Sequence, residues 1–289
     1  MAGDRPIGDE RLDPLTRRPT VVVGSRQDRP NLPSTGCPFC VGGVEAPDAY
    51  EVRWFPNRWP AMPDERCEVV LYTPDHDAEF WTLGEAGARR VVDLWAERTA
   101  ELGARDDVDY VLVFENRGEE VGATIRHPHG QIYAYPEVPP EPLRELLDGV
   151  LLPGAVDERH VVGHHGDWVT WVPPAASWPY ELRLAPRTQA PDLVDPRCDR
   201  GGLASALVDG LARLDQLFDE RMPYMLWVHQ RPTDGREWPG ARVHVHICPL
   251  HRDRGVPRFV AAAEQGAGLY FNPVRPEDAA ARLRDLPGA

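Results

Sequence analysis

Two stretches of the chain present the same motifs in the same order, and this repeat constrains the fold more than any other feature. In each stretch a Trp-Pro pair precedes a strand-like apolar segment, a helix, a second strand and two histidines separated by one residue. The step from Trp59 to His127 is 68 positions, and the step from Trp178 to His244 is 66. Matched order at nearly matched spacing indicates duplication of one α/β unit, with chance resemblance as the alternative.

Periodicity predicts one long helix in each stretch. The first helix is expected over residues 83–102, with Thr82 and Glu85 as a capping box and an apolar stripe at helical spacing. The second is expected over residues 202–220. The stripes, which we expect to pack in the core, consist of Val91, Leu94, Trp95 and Leu102 in the first helix and Leu203, Leu207, Leu211, Leu214 and Phe218 in the second. Between the two halves, the proline-rich residues 135–142 are predicted to form an extended linker.

The segment His127-Pro-His-Gly-Gln131 follows an apolar run and a loop. On a strand, alternate side chains share a face, so His127, His129 and Gln131 point the same way. Three polar groups on one face are costly in a core, so that face is expected to line a site. The alternative is a pair of hydrogen-bonded core histidines.

Two groups of residues have the donor types of metal sites. Cys37 and Cys40 form half of a tetrahedral zinc site, which His76 and His127 could complete. A redox pair or two ordinary thiols is the alternative. The second group is His229, His244 and His246, with a carboxylate as a possible fourth member, a set that suits zinc or iron. The alternative here is a set of hydrogen-bonded polar residues on a half-exposed strand.

Charge and composition exclude several classes of protein. The net charge of −14 argues against a general binder of nucleic acid or lipid surfaces. The chain contains no lysine, so a phosphate must be bound by arginine, histidine, neutral polar side chains or backbone amides. No apolar run has the length of a membrane span, and the N-terminus has no signal-peptide pattern. The odd count of five cysteines fits a reduced, cytoplasmic protein best.

Six ordered motifs resemble those of the galactose-1-phosphate uridylyltransferase family, which belongs to the histidine-triad superfamily. They are Gly36-Cys-Pro-Phe-Cys40, Phe55-Pro-Asn57, Thr73-Pro-Asp-His76, Phe114-Glu-Asn116-Arg-Gly118, His127-Pro-His-Gly-Gln131 and His244-Val-His246. The resemblance implies an α+β fold of two fused histidine-triad-like halves, residues 1–140 and 141–289, each an antiparallel sheet with a packed helix. It also implies a homodimer in which the tail of one subunit reaches the other's active site.

The resemblance implies that His129 attacks the α-phosphorus of UDP-glucose and forms a uridylyl-histidine. A hexose 1-phosphate, with galactose 1-phosphate as the expected one, then takes the uridylyl group. A neutral imidazole is a competent nucleophile near pH 7. Gln131 stands where histidine-triad hydrolases carry a third histidine. Because an amide cannot supply a proton to a leaving group, Gln131 favours transfer over hydrolysis.

Further roles are implied by matching positions in the family. Substrate-binding positions are Arg26, Arg29, Asn57, Asn116, Thr124, Arg258 and Glu264. The zinc ligands match as Cys37, Cys40, His76 and His127. The second metal, zinc or iron, is matched by His229, His244 and His246 with Glu145 as fourth ligand, for which Glu141 and Glu137 are rivals.

The chain departs from the family pattern at a few positions. Arg58 replaces an aspartate, Ile125-Arg126 replaces Asn-Pro, and Ala263 and Tyr270 alter the sugar-recognising tail. The altered tail keeps a nucleotide-sugar phosphorylase or adenylyltransferase of the same superfamily as an alternative. A non-catalytic protein that binds zinc or a nucleotide is the second alternative.

Overall fold

One antiparallel sheet of nine strands carries the candidate site. A computed structural model describes residues 9–28, 36–149 and 156–289. In chain order the strands are β1 (Asp9–Leu12), β2 (Pro19–Val22), β3 (Arg53–Pro56), β4 (Cys67–Leu71), β5 (Tyr110–Arg117), β6 (His129–Tyr135), β7 (Val161–His165), β8 (Trp168–Trp171), β9 (Leu182–Pro186), β10 (Tyr224–His229), β11 (His244–Pro249), β12 (His251–Asp253) and β13 (Val256–Pro257). The helices are α1 (Gly84–Gly103), α2 (Pro140–Asp148), α3 (Arg200–Gln216), α4 (Ala262–Ala267) and α5 (Pro276–Arg284).

The strand order reflects the repeat. The large sheet runs β3-β4-β6-β5-β10-β11-β9-β8-β7, while β1 pairs with β2 and β12 pairs with β13. The first four strands and the four from β10 to β8 thus have the same arrangement in mirror order, and β5 pairs with β10 where the two sets meet. These features confirm the predicted α+β class with antiparallel sheets. The division at residues 140 and 141 stays a prediction.

The two long helices pack against each other over one face of the sheet. All nine apolar residues predicted for their stripes are buried, as expected. The helices begin at Gly84 and Arg200, within two residues of the predicted starts. The second helix ends at Gln216, four residues earlier than predicted. On β6 the side chains alternate, with Ile132 and Ala134 in the core and His129 and Gln131 half-buried on the opposite face.

Two local predictions were wrong. The capping box of Thr82 and Glu85 does not form: the N-cap of α1 is Leu83, which makes no side-chain capping bond. The Thr82 hydroxyl instead exchanges hydrogen bonds with the backbone of Glu79, the N-cap of the preceding 3-10 turn, Phe80–Leu83. The predicted linker also contains the start of α2, because proline is well accepted in the first turn of a helix, where its missing N–H is not needed.

No helix in the described part of the chain is both long and apolar enough to cross a bilayer.

Candidate active site

The structure brings Cys37, Cys40, His76 and His127 together into one cluster. Their candidate ligand atoms all lie within 4.8 Å of one another. His127 Nδ1 lies 3.8 Å from Cys37 Sγ and 3.7 Å from Cys40 Sγ, and His76 Nδ1 lies 3.5 Å from Cys40 Sγ. Donors at zinc bonding distances and tetrahedral angles are separated by roughly 3.4–3.8 Å. The donor set and its spacing therefore fit zinc.

The ring of His127 is fixed from behind by the Thr73 carbonyl and by Tyr50, which lies outside the motifs. Its Nε2–H donates to the Thr73 carbonyl at 2.7 Å, so the lone pair of Nδ1 faces the cysteines. Tyr50 Oη lies 3.1 Å from the same nitrogen and also bonds the carbonyls of Phe39 and Thr73. Burial lowers the pKa of His127, which favours the neutral form that a metal ligand needs. Sequence reasoning missed Tyr50, because a single tyrosine between motifs carries no signal.

The backbone of the same motif orients His129. The His129 Nδ1–H donates to the His127 carbonyl at 2.8 Å, so the lone pair of the ring is on Nε2. The Phe39 ring stands at a steep angle to the imidazole, with 5.1 Å between centroids. Gly130 follows, and a Cβ built there would lie 2.1 Å from the Tyr72 hydroxyl oxygen. Glycine is thus required beside His129 by the close approach of Tyr72.

Gln131 is held by another residue of the motif set. Asn57 Nδ2 donates to Gln131 Oε1 at 3.2 Å, and Asn57 Oδ1 accepts from the Trp59 amide at 2.9 Å. With its oxygen bound by Asn57, the Gln131 amide has its N–H donors available to the cleft. In this structure, Asn57 positions Gln131.

Two clefts meet at His129. The first cleft, of about 780 Å³, lies between residues 36–45 and the turn that contains Asn57, Arg58 and Trp59. The second cleft, of about 460 Å³, lies between residues 115–120, 123–129 and 221–223. His129, Thr124 and Ile125 line both clefts, Gln131 and Asn57 line the first, and Asn116 lines the second. A group attacked by His129 would have room on either side of the reacting atom.

The structure also brings Glu145, His229, His244 and His246 together, with ligand atoms within 4.8 Å of one another. Glu145 Oε2 lies 2.6 Å from His229 Nδ1 and 3.1 Å from His244 Nε2, and its Oε1 lies 3.6 Å from His246 Nε2. The rivals are not part of this cluster: Glu141 pairs with Arg144 on the surface.

The electrostatics of this second cluster suit a cation. Burial alone would raise the pKa of Glu145, but hydrogen bonds from His229 and His244 hold it far below its usual range. Burial lowers the pKa of His229 and, more strongly, of His246. The buried Nε2 of His246 has no hydrogen-bond partner in the described residues. A buried lone pair without a partner, beside a carboxylate and two imidazoles, fits zinc or iron.

Three other predicted binding residues, Arg26, Arg258 and Glu264, line neither cleft. Arg29 falls outside the described residues, and Arg26, in the 3-10 turn Gly24–Asp28, lines neither cleft. Arg258 and Glu264 also line neither cleft and are buried against each other, with Arg258 Nη2 2.5 Å from Glu264 Oε1. Glu264 further accepts from the amides of Ala261 and Phe271, so its carboxylate is occupied within its own tail.

Comparison with known proteins agrees with this geometry. The model of the galactose-1-phosphate uridyl transferase N-terminal domain matches residues 56–139, and that of the C-terminal domain matches residues 146–289. Galactose-1-phosphate uridylyltransferase from Thermotoga maritima is 33% identical, covering 95% of this chain and 97% of its own. The enzyme of that name from Streptomyces lividans is 38% identical, over 88% and 80%. A solved uridylyltransferase structure superposes with a TM-score of 0.85 at 28% identity, covering 95% of this chain and 97% of its own. The chain therefore belongs to the galactose-1-phosphate uridylyltransferase family.

Proposed function

We propose that the chain transfers UMP between UDP-glucose and a hexose 1-phosphate, with galactose 1-phosphate as the expected acceptor, through a nucleotidyl group on His129. One observation carries the proposal: the His129 ring is locked by its Nδ1–H bond to the His127 carbonyl at the point where two clefts meet. A fixed tautomer with Nε2 as the nucleophilic atom, and room for two substrate parts beside it, is what a double-displacement transfer requires.

In the first step, the His129 Nε2 lone pair forms a bond to the α-phosphorus of UDP-glucose. The bond from that phosphorus to the bridging oxygen breaks, and its electron pair leaves with glucose 1-phosphate. In the second step, a phosphate oxygen of the other hexose 1-phosphate attacks the same phosphorus and the P–N bond breaks. The proton on His129 Nδ1 stays hydrogen-bonded to the His127 carbonyl in both steps. His129 therefore needs no external base.

Gln131 and Asn57 support transfer in place of hydrolysis. Since Asn57 holds the Gln131 oxygen, the Gln131 N–H groups can donate to a phosphoryl oxygen in the first cleft. An amide has no proton to give to a leaving oxygen at neutral pH. The proposed intermediate is therefore stabilised without a general acid, and it waits for a phosphate nucleophile.

The proposed cofactor is one zinc ion held by Cys37, Cys40, His76 and His127, with zinc or iron at the second cluster. A four-ligand zinc site is closed to substrate, so its role here is to fix the start of the strand that carries His129. The ligand spacing of the first cluster and the unpartnered His246 nitrogen of the second support this part of the proposal.

A homodimer with shared sites is proposed from the C-terminal tail. The apolar side chains of Phe259, Leu269, Tyr270 and Phe271 are between 57% and 79% exposed in the single chain. Arg258, which lies beside them under Trp178 and Tyr270, lines neither cleft of its own subunit. Both facts support a tail that packs on a second copy. Within each subunit, the proposed halves are residues 1–140 and 141–289. Five free thiols support a reducing, cytoplasmic location.

Labelled UDP-glucose tests the covalent step. Incubated without an acceptor, the enzyme should carry an acid-labile, base-stable uridylyl group on His129. His129→Asn should abolish the label and lower turnover by at least about a thousandfold. His164→Asn, which changes an exposed histidine, is the matched control and should label normally. Near-normal turnover of the His129→Asn variant would refute the proposed mechanism.

A second candidate function is favoured by one observation: the Glu264 carboxylate pairs with Arg258 and does not face a sugar site. It is a nucleotide-sugar phosphorylase, in which inorganic phosphate replaces the hexose 1-phosphate. A matrix of UDP-glucose and ADP-glucose against galactose 1-phosphate and inorganic phosphate separates the two functions. Preference for ADP-glucose with inorganic phosphate would replace the first proposal by the second.

A further inference from the structure

The second cleft has three arginines, and two of them are already neutralised. Arg117 is buried and bonds both oxygens of Asp215 at 2.6 and 2.7 Å, with Glu79 at 2.6 Å on its other side. Arg221 pairs with the second oxygen of Glu79 at 2.7 Å. The guanidinium groups of Arg117 and Arg221 are therefore engaged in ion pairs that stabilise the wall of the cleft.

Arg126 differs from the other two. Its side chain is exposed, it lines the second cleft, and it forms no ion pair within residues 9–28, 36–149 and 156–289. Its backbone carbonyl accepts a long hydrogen bond, 3.4 Å, from Arg221 Nη2, which fixes the main chain at this point. It is also three positions before His129 in the sequence. Arg126 is thus an available cation beside the reacting residue.

Asn116 and Thr124 line the second cleft as neutral polar residues, but the backbone of the loop above it offers few amides to a phosphate. In the loop above it, the amides of Val121 and Ala123 both bond the Gly118 carbonyl, and the Gly122 amide bonds the Glu119 carbonyl. Glu119 and Glu120 line the same cleft and repel anions. The chain has no lysine, so the permanently charged side chains of this cleft that could bind a phosphate are its arginines.

We propose that Arg126 binds the phosphate of the hexose 1-phosphate in the second cleft, and thereby selects phosphorylated acceptors. This inference rests on the proposed function and assigns a residue to its second substrate. The phosphate of a nucleotide sugar carries one negative charge, and it becomes a phosphate monoester with two when the bond to the α-phosphorus breaks. A guanidinium placed there attracts the monoester dianion more than the diester monoanion, so Arg126 also assists the step in which the hexose 1-phosphate leaves.

Direct binding tests the assignment without turnover, because neither galactose 1-phosphate nor UMP reacts alone. Calorimetry should show galactose 1-phosphate binding weakened by about tenfold to a hundredfold in Arg126→Gln, as expected for loss of a charge-assisted bond. UMP binding and the thermal midpoint should stay unchanged. Arg126→Lys should recover part of the affinity. Arg197→Gln removes an exposed arginine elsewhere and should bind both ligands as the wild type does.

The outcomes are distinguishable from those of the covalent-labelling experiment. Unchanged galactose 1-phosphate binding in Arg126→Gln would overturn the inference, as would an equal loss of UMP binding, which indicates a merely structural role. If the wild type forms no nucleotidyl-His129 while galactose 1-phosphate binding still depends on Arg126, the proposed function fails and the phosphate site stands.

Discussion

Replacing Gly130 by alanine tests how tightly the strand of His129 is packed. The added Cβ would lie 2.1 Å from the Tyr72 hydroxyl oxygen, 3.0 Å from its Cζ and 3.1 Å from the Phe114 carbonyl oxygen. Ordinary contacts are near 3.5 Å, so Tyr72 or the strand must move by about 1.4 Å. The Tyr72 ring is buried and packs edge-on against Phe80 and Trp95, so its displacement disturbs the core.

Two effects of known size follow from this displacement. Forcing an extra methyl into a packed core costs about 1–3 kcal/mol of unfolding free energy. A shift of about 1 Å in a catalytic group costs about a hundredfold in rate. Gly130→Ala should therefore lower stability by 1–3 kcal/mol and the rate of His129 labelling by about a hundredfold, while the zinc content stays the same.

A double-mutant cycle assigns the cause. Tyr72→Phe alone should cost about 1 kcal/mol or less, since it removes one hydroxyl. Added to Gly130→Ala, it removes the oxygen at 2.1 Å and should recover more than half of the lost stability and rate. Urea unfolding and single-turnover labelling measure both quantities. Additive effects of the two substitutions, or a fully active Gly130→Ala enzyme, would refute the steric argument.

Three other variants probe the first metal cluster and a buried carboxyl. Cys37→Ser should lose the zinc and lower the thermal midpoint, as metal analysis and calorimetry will show; full zinc content contradicts the ligand assignment. Tyr50→Phe keeps all four ligands but loosens the His127 ring, so zinc affinity in a chelator competition should fall about 10–100-fold, and an unchanged affinity would exclude this role. Burial raises the pKa of Glu115 from 4.5 to about 7, so its contribution to stability is present below pH 4.5 and is lost as the pH rises through 7. Relative to Glu115→Gln, the wild type should lose on the order of 3 kcal/mol across that interval in urea unfolding, and a pH-independent difference would contradict the argument.

The sequence predicts what depends on local periodicity. Apolar spacing located both long helices, because a helix buries one stripe whatever its partner is. Alternation on a strand placed His129 and Gln131 on one face, as observed. The metal clusters were predictable because their residue types are rare in combination, and the structure brings all eight residues into two groups.

What the sequence could not supply depends on contacts between distant segments. Spacing gave Glu145 as the fourth member of the second cluster but left Glu141 and Glu137 as rivals, because the proline-rich segment does not define its own register. The structure places Glu145, on the helix that starts at Pro140, with the three histidines. The pairing of Arg258 with Glu264 was missed, because the sequence shows the same two residues whether they bind each other or bind the substrate. The bond from Asn57 to Gln131 joins the turn after β3 to strand β6, and a pattern of single residues does not align these two segments.

The pairing of β5 with β10 has a consequence for the origin of the active site. Val113 to Arg117 on one strand face Val228 to Tyr224 on the other, so the two copies of the repeat share one set of backbone hydrogen bonds. The copy that does not contain His129 supplies Arg221, Met222 and Pro223 as a wall of the second cleft. Separating the halves would expose β5 as an open edge and remove that wall. Under the proposed function, the two halves of the repeat would thus have different tasks: one carries the proposed nucleophile, and the other supplies a wall of the cleft in which the substrate is proposed to bind.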